Sequence, residues 1–112
     1  MRAAPRLLLA ALASGAAAGP APALAQDAAA GTAKAAACAV CHGANGIAVA
    51  PDAANLAGQS AIYLSAQLKA YRSGERRHEV MSVMAKPLTD ADIANLAAWY
   101  SSIKVEATPP SN

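Results

Sequence analysis

Apolar positions recur at helical spacing in two well-bounded segments. In the first they fall at Ile62, Leu64, Leu68 and Tyr71, with Ala61 and Tyr63 beside them. Residues three and four apart share a helix face, so this spacing predicts a helix from Ser60, as N-cap, to Arg72 or Ser73. Gly74 is its natural stop. In the second, Ile93, Leu96, Ala97, Tyr100 and Ile103 make one stripe, which predicts a helix over residues 89 to 102 or 103. Thr89, with Asp92 three residues on, has the form of a capping box, with Asp in place of the usual Glu or Gln. Asp90 and Asp92 put negative charge at the positive end of that helix dipole. A third helix is read from composition rather than period. Residues 28 to 41 are alanine-rich, include Lys34, have only Gly31 and Thr32 against them, and are followed by Gly43.

Two segments break the pattern. Residues 43 to 59 hold Gly46, Pro51, Asn55 and Gly58, and residues 74 to 88 hold Met81, Met84 and Pro87; both read as irregular. No alternating strand pattern and no internal repeat is present. The economical fold class is all-α, one domain with three main helices. Before that domain, Arg2 and Arg6 precede the apolar run Leu7-Leu8-Leu9-Ala10-Ala11-Leu12-Ala13, and Ala23-Leu24-Ala25 follows. A basic start, an apolar middle and an A-x-A site describe a signal peptide. The expected organisation is a signal peptide over residues 1–25 cleaved after Ala25, a domain over 26–104 and a flexible tail over 105–112. The leader's apolar run is short and interrupted by Gly and Pro, so no integral span is expected in the mature chain.

Charge changes the picture mainly by exclusion. Arg2 and Arg6 account for the formal net charge of +2; from residue 26 onward basic and acidic side chains balance. Nucleic-acid binding gains no support, because phosphate recognition needs a basic surplus. The local cluster Arg72, Arg76 and Arg77, with Lys69 and Lys86, is a candidate rim for steering a protein partner. Composition adds a second constraint. The chain has no Phe, 1 Trp and 3 Tyr, and much of its 55% hydrophobic content is alanine. A domain this small is short of core even with Tyr63, Leu64, Leu68, Trp99 and Tyr100 inside it, and a large apolar cofactor would supply what is missing.

The chemistry sits in Cys38-Ala39-Val40-Cys41-His42. On a helix, positions i, i+3 and i+4 address one object from one face. Two thiols can form thioether bonds to the vinyl groups of a porphyrin while the imidazole reaches its iron, so C-x-x-C-H reads as attachment of a c-type haem. A thioredoxin-like C-x-x-C needs a βαβ setting that is missing here. A structural zinc site needs four ligands; His78 just completes the count, but at the wrong spacing for a finger. A plain disulfide between Cys38 and Cys41 leaves His42 without a role. For a sixth iron ligand the candidates are Met81, Met84 and His78, all in the segment before the last helix, and spacing alone does not choose among them.

Taken in order, the motifs resemble a known family. They are Cys38 to Gly43, Gly46, Leu56-Ala57-Gly58-Gln59, Tyr63-Leu64, Gln67-Leu68, Arg72-Ser73-Gly74, Met81-Ser82-Val83-Met84-Ala85, Leu88 to Ile93, and Leu96 to Ser102. Over about residues 27 to 103 the chain resembles the class I c-type cytochromes of bacteria, in the cytochrome c553 and cytochrome c4-like branch. The resemblance implies a cytochrome c fold around one covalently bound haem c with its iron, the terminal helices crossing near it. It implies His42 and Met81 as axial ligands, because the first methionine of the family's M-x-x-M segment ligates. Met84 then packs in the pocket and is the fallback ligand. It further implies a periplasmic one-haem carrier that shuttles single electrons between a redox donor and acceptor, as a monomer or in weak complexes, with no catalytic site of its own. The alternatives are a haem c subunit of a periplasmic dehydrogenase and a haem-based sensor of small ligands. One position departs from the family. A proline commonly stands two residues before the Leu-Ala-Gly-Gln run and offers its carbonyl to the second nitrogen of the haem histidine. Here that residue is Ala54, whose carbonyl can do the same.

Overall fold

The computed structural model describes residues 26–111. The expected signal peptide, residues 1–25, lies outside the described residues. Five helices follow one another: α1 (Ala28–Ala35), α2 (Ala39–His42), α3 (Ala61–Ser73), α4 (Met81–Ala85) and α5 (Asp90–Ser102). There is no strand among the described residues, so the all-α expectation is met.

The two periodic helices form where the pattern places them, for the reasons it gives. Ser60 caps α3, its side chain accepting from the Tyr63 N–H at 3.1 Å. Gly74 ends α3 in the left-handed conformation (φ 84°), which glycine adopts without strain. At α5 both halves of the capping box form. Thr89 Oγ1 accepts from the Asp92 N–H at 3.0 Å, and Asp92 Oδ2 accepts from the Thr89 N–H at 2.9 Å.

Two expectations need correction. The predicted helix over residues 28 to 41 is not continuous. It tightens at Ala36–Cys38, where the Cys38 N–H bonds the Ala35 carbonyl at 2.9 Å, three residues back instead of four. This is a 3₁₀-type turn; alanine propensity alone gives no sign of it, because propensity is a weak prior that packing overrides. The segment over residues 74 to 88 is not wholly irregular either, since α4 forms within it. Core membership also shifts within α3. Leu64 is buried and Leu68 packs against the core, but Ile62 is 85% exposed and Tyr63 48% exposed, because the face running through Leu64 and Leu68 turns both outward.

α5 is the centre of the fold, packed on one side by α1 and on another by α3. Ala35 of α1, Leu64 of α3, and Leu96, Ala97 and Tyr100 of α5 form the core cluster. The crossing of α1 with α5 is close because Gly31 sits against Asn95 and Trp99. A Cβ on Gly31 would overlap the Asn95 carbonyl oxygen and stand 2.8 Å from the Trp99 Cβ. Polar bonds fix the same crossing: the Asp27 N–H donates to Asn95 Oδ1 at 2.9 Å, and Lys34 pairs with Asp92 at 3.1 Å. Arg72 ties the end of α3 to the start of α5, donating to the Leu88 carbonyl at 2.9 Å and to Asp90 at 2.6 Å.

Two measurements test this account. Gly31→Ala gains about 1 kcal/mol of helix propensity, yet the clash with α5 should leave it less stable by about 1–3 kcal/mol in denaturant unfolding. A more stable variant would contradict the close crossing. The capping box has a pH signature. The Thr89 backbone N–H, then Lys34, hold the Asp92 carboxyl below its usual range. A carboxylate whose folded value is depressed contributes stability above its unfolded value, near ~3.9, and loses it as pH falls through the folded value. Asp92→Asn keeps an acceptor but cannot titrate, so its stability should be lower at neutral pH and fall less steeply below about pH 4 than that of the unmodified chain.

Candidate functional site

α2 is a single turn whose residues carry the candidate chemistry. Cys38 stands at its N-terminus in helical conformation, and the His42 N–H bonds the Cys38 carbonyl at 3.0 Å. The turn therefore keeps Cys38, Cys41 and His42 at the i, i+3, i+4 relation although the longer helix is broken. The two cysteines are free thiols, both partly buried.

His42 is buried, with 9% of its surface exposed. Its Nδ1 lies 2.7 Å from the Ala54 carbonyl oxygen. A carbonyl only accepts, so Nδ1 carries the proton and donates, which makes Nε2 the ring nitrogen open to a metal. The Ala54 carbonyl comes from the irregular segment between α2 and α3, which is tied back onto the motif. The Val49 and Ala50 N–H groups donate to the Cys41 carbonyl at 2.9 and 3.1 Å, and those of Leu56 and Ala57 donate to the Gly46 carbonyl at 2.7 and 3.0 Å. Asn55 Oδ1 accepts from the Ala48 N–H at 2.7 Å. The orienting contact thus survives the departure from the family's proline.

Beside the motif, with Cys38 in its wall, lies an apolar cleft of about 410 Å³, within the range of cofactor pockets. Cys38, Leu68, Leu96, Met81 and Met84 are among the side chains that line it. Cys38 and both methionines are brought together there; Cys41 and His42 continue along α2 outside its wall. His78 is not at the cleft. Met81 is half-buried and Met84 is 38% exposed. Burial pushes the Cys38 thiol up, partly offset by a hydrogen bond with the Tyr100 hydroxyl and by the charge of Lys34. Burial likewise pushes Tyr100 above its ordinary range.

The donor set suits an iron that arrives inside a porphyrin. Among the described residues no three His, Cys, Asp or Glu side chains converge as a bare ion would require. Thiols for thioether bonds, an oriented imidazole and apolar walls meet the needs of a haem instead. A cytochrome c family model matches residues 27–104. The chain belongs to the cytochrome c family. Members of that family carry electrons on a covalently bound haem c with iron, and the C-x-x-C-H run of this chain fits that attachment.

Among relatives, cytochrome c-554(548) of Halomonas halodenitrificans is 51% identical over 72 residues, covering 62% of this chain and 87% of that protein. The thiosulfate dehydrogenase electron acceptor of Thiomonas intermedia is 43% identical over 77 residues, 68% of this chain but 36% of that protein. The crystal structure of reduced recombinant cytochrome c4 from Pseudomonas stutzeri superposes with a TM-score of 0.67 at 39% identity, over 71% of this chain and 47% of that one. The chain therefore spans most of the first relative and less than half of the other two.

Within the basic cluster Arg72 is partly buried and ion-paired, whereas Lys69, Arg76, Arg77 and Lys86 are exposed. Arg72 is engaged by Leu88 and Asp90, and Arg76 donates to Gln67 at 2.6 Å while stacking over Tyr71 at 4.6 Å. Two features went unread in the sequence. The packing of Cys38 against the core cluster that includes Tyr100 joins distant residues and has no local mark. A histidine at the start of α4 is outside the usual capping set of Ser, Thr, Asp and Asn.

The Ala54 N–H makes no hydrogen bond among the described residues, so a proline there loses none. Ala54→Pro should keep the carbonyl on His42, raise stability by about 0.4–1 kcal/mol through the unfolded chain, and leave the visible spectrum unchanged. A shifted Soret band in this variant would show that the loop does not present the Ala54 carbonyl as described.

Proposed function

We propose that this chain is a periplasmic one-haem electron carrier in which Cys38 and Cys41 form the thioether bonds, His42 is the proximal iron ligand and Met81 the distal one. The observation that carries this is the His42 contact: a buried imidazole on the C-x-x-C-H turn whose Nδ1 is held by the Ala54 carbonyl at 2.7 Å. Fixing one ring nitrogen sets the tautomer and orients the other toward a metal. When bound, the haem supplies an iron that takes up and gives back one electron. The residues of the chain do the rest. The cysteines keep the group from dissociating. The apolar cleft would shield the group from water, and a histidine–methionine pair would raise its reduction potential. Met81 is preferred to Met84 because it is the more buried of the two and leads the M-x-x-M segment.

Export is supported by residues 1–25, with cleavage after Ala25, and no helix among the described residues is long and apolar enough to cross a membrane. The partner reading follows the relatives whose names make them electron acceptors of a thiosulfate dehydrogenase. On that reading the donor is a dehydrogenase of the same compartment, and the chain is a carrier rather than an enzyme.

Absorption spectra of the purified protein, oxidised and reduced, with a pyridine haemochrome assay, test the attachment; a haem extractable by acidified organic solvent would contradict it. In the oxidised holoprotein Met81→Ala should abolish the near-infrared iron–sulfur charge-transfer band, and Met84→Ala should retain it. The reverse pattern would assign the ligand to Met84.

A further inference from the structure

α4 is only five residues long and begins at Met81 itself. A helix this short does not sustain itself, since the first turn fixes several dihedrals before any hydrogen bond compensates. Its opening N–H groups also need partners from outside the helix. Val80, the residue that precedes it, supplies no side-chain cap.

The partner is His78. Its Nδ1 accepts from the Val80 N–H at 3.2 Å and from the Met81 N–H at 3.3 Å. These are the two donors that an N-cap side chain satisfies when the cap lies two and three residues ahead. The backbone of His78 closes the same turn. Its carbonyl accepts from the Ser82 N–H at 3.0 Å, and its N–H donates to Ser82 Oγ at 3.0 Å. One residue thus makes four hydrogen bonds to the segment that carries Met81, and one of the four is to the Met81 backbone. The ring is surface-exposed and stands outside the cleft, so it takes no part in lining the site.

We propose that His78 is a positioning residue for the distal ligand, a clasp whose Nδ1 and backbone fix the first turn of α4 and hold Met81 at the cleft. The proposal rests on the reading of Met81 as the axial methionine. A thioether is a weak partner for oxidised iron, so its occupancy depends on how firmly the chain presents it. With the clasp closed, Met81 is held where it binds, and little ordering remains to be done when the bond forms. With the clasp open, the turn frays and the released state gains freedom. His78 then acts on the iron without touching it, as residues behind a metal ligand generally do.

The test uses the oxidised holoprotein and imidazole as an external ligand that competes with methionine. His78→Ala should raise the apparent imidazole affinity roughly fivefold to tenfold, the ratio expected for loss of an N-cap. His78→Asn, whose amide oxygen can accept from the same N–H groups, should restore the affinity of the unmodified protein. Ser60→Ala removes a cap of similar kind from α3 and should leave imidazole binding unchanged, which separates the clasp from general loosening. Unchanged affinity in His78→Ala, no recovery in His78→Asn, or an equal rise in Ser60→Ala would overturn the proposal. If His78→Ala does not accumulate as holoprotein, Ser82→Ala decides, because it deletes the acceptor of the His78 N–H. A rise of about twofold or more supports the clasp, at the low end of capping effects, and no rise overturns it. Met81→Ala is run in parallel. If its near-infrared band persists, the ligand assignment fails and the clasp falls with it. If the band is lost there while His78→Ala binds imidazole as the unmodified protein does, the clasp alone fails.

Discussion

The hydrogen bond from His42 Nδ1 to the Ala54 carbonyl is the contact on which the rest of the site depends. It takes a flexible, polar side chain into a buried position and satisfies it there; without it the imidazole would stand among apolar neighbours with an unpaired donor. It also decides which ring nitrogen is left open to a metal. The irregular stretch between α2 and α3 has an architecture matched to this task. Its turns fold back on the carbonyls of Cys41 and Gly46, and further along the Gly58 N–H bonds the Tyr100 carbonyl of α5 at 2.9 Å. The loop is thereby anchored both to the motif and to the central helix, and the Ala54 carbonyl is delivered from a fixed frame.

That frame in turn depends on the crossing of α1 with α5. Gly31 permits close approach, Asp27 and Lys34 lock it with polar contacts, and Cys38 packs against the core cluster that includes Tyr100 of α5. The same helix thus buries the core, anchors the loop and touches the attachment site. On the other side of the cleft, α3 and the short α4 carry Leu68 and the two methionines. The protein core is small because a haem completes it: the apolar wall is built around a group the chain binds rather than around its own side chains.

Much of this was legible in the sequence, for reasons that are local. The caps Ser60 and Thr89 and the stop at Gly74 involve residues next to the bonds they make, so α3 and α5 could be bounded closely. The C-x-x-C-H turn was legible because its spacing is itself the geometry. Where the sequence was silent, the deciding contact was distant or chemically anonymous. The break after Ala35 lies in an alanine run with no breaker. α4 is capped by a histidine, which no capping rule selects. Ala54 acts through a backbone carbonyl, and every residue has one. Ile62 has the right spacing for a helix but lies on its outer face, since a short apolar pattern does not reveal which arc meets α5.

The most direct test of the central contact is nuclear magnetic resonance of the reduced, diamagnetic holoprotein labelled with ¹⁵N and ¹³C. The expected result is a ring N–H proton on His42 Nδ1, protected from exchange with water and showing scalar coupling across the hydrogen bond to the Ala54 carbonyl carbon. A His42 ring proton that exchanges freely, or one coupled to a different carbonyl, would contradict it.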